Sequence, residues 1–251
     1  MNEKRFDGKG ETYAKYRPTY PQAFIDYLCS DIGISKKSIF ADIGSGTGIL
    51  TKQLLNLGCR VYAVEPNDDM RAVAERDLSR YDNFVSVNGI AENTTLDANS
   101  IDYVTVAQAF HWFDRGRFKI ECRRIIKQSS KVVLVWNSPV FDAEIVVDCD
   151  NILKKYCSDF GRGGDTRGKK GVNLPFNKFF NGDYEERAFE NSTTANLNEF
   201  IGRHLSSSYT LKENDENYLV YIAELTECFH KHSADGIVTV PTVTRSYAGE
   251  V

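Results

Sequence analysis

Short apolar runs recur along the first 140 residues, separated by longer stretches whose apolar side chains return every three or four positions. Residues 40–43, 60–64, 84–87, 100–106 and 130–137 read as buried strands. Residues 49–57, 68–80 and 115–127 carry the helical period, and Asn67 is placed to cap the second of these. An earlier helix opens at Tyr20-Pro21, turns Phe24, Ile25, Tyr27, Leu28 and Ile32 inward, and stops at Gly33. Strand and helix in strict alternation predict an α/β, doubly wound, mostly parallel sheet. The rhythm breaks after Pro139. A helix near 141–157 leads into a glycine-rich basic run at 161–171, then a strand at 184–190 and a helix at 195–205. A long helix over 213–232, with Leu219, Ile222, Ala223, Leu225 and Phe229 inward, precedes an extended stretch at 237–248 that Pro241 interrupts.

The first strand ends in an acid, Asp42, and runs directly into Gly44-Ser45-Gly46-Thr47-Gly48. Glycines at alternate positions allow positive φ and let a ligand lie against bare backbone. A dinucleotide fingerprint spaces its glycines G-x-G-x-x-G and places a diphosphate on the helix N-terminus. Here the third glycine comes one residue early, and Asp42 suits a ligand bearing positive charge. The second strand ends in Glu65, followed by Pro66. An acid at that strand tip, beside a glycine-rich first turn, can accept hydrogen bonds from both ribose hydroxyls.

Together, D-x-G-x-G-x-G and V-x-A-V-E-P resemble the S-adenosylmethionine-dependent methyltransferases whose doubly wound sheet has seven strands. The resemblance implies S-adenosylmethionine as cofactor, held by Asp42, Gly44, Ser45, Gly46, Thr47, Gly48, Glu65 and Pro66. Asn88-Gly89-Ile90-Ala91-Glu92 is similar to that family's G-x-A-E loop, which implies that the Ala91 backbone and the Glu92 side chain read the adenine edge; an ordinary loop acid is the other reading of Glu92. Ala107-Gln108-Ala109-Phe110-His111-Trp112-Phe113-Asp114 resembles the tract of the small-molecule branch that includes trans-aconitate methyltransferases, and puts Gln108 with the cofactor and His111 and Trp112 with the acceptor. His111 is either a group that orients or deprotonates the acceptor or a packing residue between aromatics. The Y-A-K-Y-R-P-T-Y-P run looks like that branch's N-terminal lid. In it Arg17 pairs with the cofactor carboxylate, or is merely solvated, and Tyr13 and Tyr20 face the acceptor.

The domain organisation expected is one methyltransferase domain over 1–251, with a lid and helix at 1–35 and an insertion at 140–182 that forms part of a substrate cap. Charged residues make up 26% of the chain and nearly cancel, leaving a net charge of −4, which supplies no field for a nucleic acid or a membrane surface. The expected partner is a small-molecule acceptor, anionic if the basic run at 161–171 clamps it, and the protein is expected as a monomer or homodimer. Six cysteines show no C-x-x-C pair and no metal-ligand spacing, so no metal is expected. With no apolar leader or span in the sequence, a cytoplasmic protein is expected. The reaction favoured is methyl transfer to a small oxygen nucleophile, with carboxylate ahead. A non-catalytic cofactor-binding scaffold and an NAD-dependent oxidoreductase are the rival readings, the latter opposed by the glycine spacing and by Asp42.

Overall fold

A computed structural model describes residues 6–160 and 176–251. Two short helices, α1 (Gly10–Tyr16) and α2 (Gln22–Ser30), precede the alternating core. That core runs β1 (Ile39–Ile43), α3 (Ile49–Asn56), β2 (Arg60–Val64), α4 (Asp68–Leu78), β3 (Phe84–Val87), β4 (Ile101–Ala107), α5 (Arg115–Ile125) and β5 (Ile126–Pro139). Beyond it lie α6 (Glu144–Tyr156), α7 (Phe176–Phe179), β6 (Glu185–Glu190), β7 (Thr193–Ala195), α8 (Leu197–Leu205), α9 (Tyr218–His232), β8 (Val238–Val240) and β9 (Thr242–Gly249).

The described residues form a seven-stranded sheet in the order β3-β2-β1-β4-β5-β9-β6. The first five strands pair in parallel, while β9 runs antiparallel between β5 and β6. Side chains alternate between the two faces as a pleated strand requires: Phe40, Val61, Val133 and Val135 join one apolar cluster, and Ala41, Ile43, Val132 and Leu134 the other. The strand order reverses between β1 and β4, so the loops leaving these two strands flank one crevice. A third apolar cluster, built by α6, α8, α9, Ala195 and Val238, stands apart from the sheet faces and roofs that crevice.

Several sequence expectations need correction. The polar first twenty residues contain a helix, α1, tied down by buried Lys9: its Nζ donates to the carbonyls of Leu205 and Ser207 and to Thr210 Oγ1. Leu205 closes α8 and Ser207 lies just beyond it, where a cation offsets the negative end of the helix dipole. Burial, with the charges of Lys212 and Arg17, lowers the Lys9 pKa to about 8. The long helix starts at Tyr218 rather than 213, and Leu219 and Ala223 face solvent while Tyr221 and Cys228 are buried. Leu225 and Phe229 are buried and Ile222 packs on the same cluster as expected, while Tyr221 and Cys228 take the inward places expected of Leu219 and Ala223. Ala195 belongs to β7, not to a helix. The break expected at Pro241 is present, and β8 and β9 on either side of it enter different sheets. The basic run at 161–171 lies outside the described residues.

Candidate functional site

The chain turns sharply after β1. Gly44, Gly46 and Gly48 all take positive φ, at 66°, 57° and 81°. A side chain at Gly44 would put its Cβ 2.7 Å from the Ala109 Cβ, so the turn packs directly on the loop that leaves β4. The Gly44 and Ser45 amides donate to the Val64 carbonyl, which locks the turn onto the end of β2. Glu65, 8% exposed, completes the lock: its carboxylate accepts from the Gly46 amide at 2.9 Å and from the Asn67 amide at 2.9 Å. Burial pushes the Glu65 pKa up, and these two amides with the Arg71 charge oppose that rise. Each oxygen retains a lone pair for a ligand hydroxyl.

Asp42 lies beneath the turn, fully buried. Thr51 Oγ1 donates to it at 2.6 Å and Thr105 Oγ1 at 2.8 Å, tying β1 to α3 and β4. Burial raises its pKa against those hydrogen bonds. Its two hydroxyl partners make it a positioning group under the glycines, with no surface of its own on the crevice.

A cavity of about 290 Å³ opens above the turn. Its wall brings together Tyr13, Arg17, Tyr20, Gly44, Ser45, Gly46, Gln108, His111 and Trp112 from the sequence-predicted set. Asp42, Thr47, Gly48, Glu65, Pro66, Ala91 and Glu92 are not in that wall. Glu65 reaches it only through Gly46, and Ala91 is buried in the apolar cluster of one sheet face. Glu92 accepts from the Asp114 amide at 2.7 Å, at the start of α5. Gln108 is a non-glycine residue at φ 61°, an uncommon conformation held by its amide bond to the Val135 carbonyl and by its side-chain amide on the Asn137 carbonyl at 3.2 Å. The His111 ring tilts against Trp112, with centroids 4.6 Å apart.

The roof of the cavity was not legible from the sequence motifs. Trp136 and Asn137 come from β5, Ile145, Val146, Cys149 and Leu153 from α6, and Arg203, His204 and Ser207 from the end of α8. Arg17 Nη2 donates to Ser207 Oγ at 2.8 Å, and Arg203 Nη1 donates to Thr193 Oγ1. The Nε of each guanidinium is buried without a hydrogen-bond partner. Burial lowers the Arg203 pKa, and the neighbouring Arg17 charge lowers it further. Asp150 and Asp159 line the same cavity, so its charge is mixed and positive only at the arginine corner. The one sequence signal for this wall was Gly202, a glycine inside a helical pattern. A Cβ there would stand 2.5 Å from the Tyr16 ring, so the glycine lets α1 lie flush on α8. Gly202→Ala therefore unseats α1 although alanine is the better helix former. Hydrogen exchange over residues 10–16 is expected to accelerate, with unchanged exchange as the contrary result.

Bare glycine backbone, the buried and unpartnered Ser45 Oγ, and a buried strand-tip acid fit a nucleoside whose tail carries charge. The strand order and the antiparallel β9 give the mixed α/β, Rossmann-like fold of the class I methyltransferases. Residues 41–134 match a family model described as a methyltransferase domain. An uncharacterized methyltransferase of Mycobacterium tuberculosis is 38% identical over 126 residues, which is 50% of this chain and 49% of that protein. An uncharacterized methyltransferase-like protein of Schizosaccharomyces pombe is 29% identical over 157 residues, 62% of this chain and 60% of that one. The chain thus spans about half to three fifths of the length of these relatives. A protein of Anaeromyxobacter dehalogenans described as a candidate type II methyltransferase shares the fold with a TM-score of 0.64 at 21% identity, covering 94% of this chain and 98% of its own. The domain match and the named relatives mark residues 41–134 as methyltransferase-like in sequence, and the solved structure shares the fold. No helix among the described residues is long and apolar enough to cross a membrane.

Proposed function

We propose that the protein transfers a methyl group from S-adenosylmethionine to an oxygen, a carboxylate first, of an anionic small molecule, as its resemblance to the trans-aconitate branch suggests. The observation that carries this reading is the corner where Arg17 and Arg203 meet, each with a buried, unpartnered Nε inside the cavity roofed by α6 and α8. Two like charges held together in a partly dry pocket are relieved by an anion, and guanidinium forks suit carboxylate geometry. A phosphoethanolamine methyltransferase of Haemonchus contortus, solved with S-adenosylmethionine, shares the fold at a TM-score of 0.57 and 15% identity, covering 99% of this chain and 57% of its own.

Bound at the glycine turn, S-adenosylmethionine supplies a methyl already activated by its sulfonium. Glu65 would accept the ribose hydroxyls while Gly44 and Gly46 keep side chains out of the way. Gln108, fixed by Val135 and Asn137, sets the edge of the cofactor subsite. Tyr13, Tyr20, Trp112 and Trp136 exclude water, Arg17 would pair with the cofactor carboxylate, and Arg203 beside it orients the acceptor so that one of its oxygens faces the methyl. A carboxylate gives up no proton in the step, so no general base is needed. His111 serves as a wall and orienting group. The described residues of 1–35 form a lid and helix, and the described residues of 140–182 part of the substrate cap, within one domain that works as a monomer or homodimer in the cytoplasm.

Labelled methyl turnover over a panel of carboxylic acids, phenols and amines tests this. The expected product is a base-labile methyl ester. Arg203→Gln is expected to raise KM for that acid about tenfold to a hundredfold, as loss of a charge-assisted hydrogen bond worth roughly 1.5–3 kcal/mol requires, with cofactor affinity unchanged. Methylation confined to amines, indifferent to Arg203→Gln, would contradict the proposal.

A further inference from the structure

Where α6 packs on α9, the two helices bring together groups that methyl transfer does not use. Asp148 on α6 and Cys228 and His232 on α9 place one ligand atom each within 4.8 Å of one another. Cys228 and His232 are four residues apart, so they stand on one face of α9, one turn above the other. His232 Nε2 lies 2.6 Å from Asp148 Oδ2, and Cys228 is 6% exposed. We propose that Asp148, Cys228 and His232 form a zinc site that staples α6 to α9.

The donor set is the basis of the assignment. A thiolate, an imidazole and a carboxylate together suit a borderline ion that accepts sulfur, nitrogen and oxygen in a tetrahedral shell. Calcium and magnesium would want oxygens throughout. Asp148 is part-exposed, which gives an ion a path in. Its present competitor is Lys231, whose Nζ sits 2.7 Å from the same oxygen but whose side chain is 63% exposed. Such a pair contributes about 0–1 kcal/mol, so the lysine swings aside at little cost. Cys149 supports the site from behind, its Sγ 3.8 Å from that of Cys228. On binding, the Cys228 sulfur–hydrogen bond breaks, its electron pair goes to the metal and the proton passes to solvent.

The site has a consequence for the cavity. Ile145, Val146, Cys149 and Leu153 of the stapled helix line the roof, so the metal holds that wall against α9.

Cobalt(II) titration of the full chain tests this, in a Cys29→Ser background that removes the exposed thiol. One equivalent is expected to produce a thiolate-to-cobalt charge-transfer band, bleached by zinc. Cys228→Ser is expected to abolish the band. His232→Gln, a change at the end of α9 outside the third apolar cluster, is expected to weaken the apparent affinity by about tenfold or more. Absence of a saturable band in the intact chain, or a band of unchanged intensity and affinity in either variant, overturns the site. His232→Gln decides the matter alone should Cys228→Ser fail to fold.

Discussion

Glu65→Ala is expected to weaken S-adenosylhomocysteine binding by about tenfold to a hundredfold, which corresponds to roughly 1.5–3 kcal/mol for a charge-assisted hydrogen bond. Glu65 carries two loads. Its oxygens accept from the Gly46 and Asn67 amides, which fixes the glycine turn against β2, and in the proposed function their remaining lone pairs would take the ribose. Removing the carboxylate leaves two amides in want of a partner as well as a ligand with nothing to hold. The melting temperature should therefore fall by a few degrees along with affinity. Glu65→Gln retains one acceptor oxygen and is expected to lie between wild type and alanine. Calorimetric titration of both variants reads this directly. A folded Glu65→Ala protein with an unchanged dissociation constant would remove Glu65 from the cofactor site.

The second large effect is expected at Gly44. Its φ of 66° already excludes most side chains, and an added Cβ would meet the Ala109 Cβ at 2.7 Å and Phe113 Cζ at 3.3 Å. Neither neighbour is the free end of a flexible chain: Ala109 starts the 3-10 turn at Phe110–Trp112, and Phe113 packs edge-on against Phe110 and Phe118. Gly44→Ala thus forces the two walls of the crevice apart. Left-handed strain and overpacking each cost about 1–3 kcal/mol, so a loss of several kcal/mol in stability is expected, together with loss of measurable cofactor binding. Adding Ala109→Gly removes the clash but not the φ strain, so the double variant should recover part of the stability. Denaturant melts of the two proteins measure the recovery. If Gly44→Ala alone is as stable as wild type, the contact between the turn and the β4 loop is not what sets the crevice width.

These two residues also mark what could be read from the chain. The positive-φ turn and the acid beside it are legible because they follow from local backbone: β1 runs into alternating glycines, and the acid at the end of the next strand, Glu65, lands against them. The strand alternation gave the sheet for the same reason, since a period of two or of 3.6 is a local property. The surroundings of Asp42 are not a local property, because the threonines that donate to it, Thr51 and Thr105, come from another helix and another strand. Arg203 was missed altogether. It sits on the outer third of the chain, its neighbour Arg17 lies 186 positions earlier in sequence, and only packing of α1 on α8 through Gly202 makes them meet. Leu219 failed in the opposite way. A helical period alone does not tell which of two apolar stripes faces inward, and α9 turns Tyr221 and Cys228 to the core. The docking of α1 rests on Lys9 and on Asp69, which accepts from the Gly10 amide at 2.8 Å, so a search for apolar anchors had no means of finding it.

Calorimetric titration of the purified chain with S-adenosylhomocysteine, and separately with NAD, tests the cofactor assignment most directly. One site per chain for S-adenosylhomocysteine and no heat from NAD is the expected result. Binding of NAD with no response to S-adenosylhomocysteine would contradict the reading of the glycine turn, Glu65 and everything built on them.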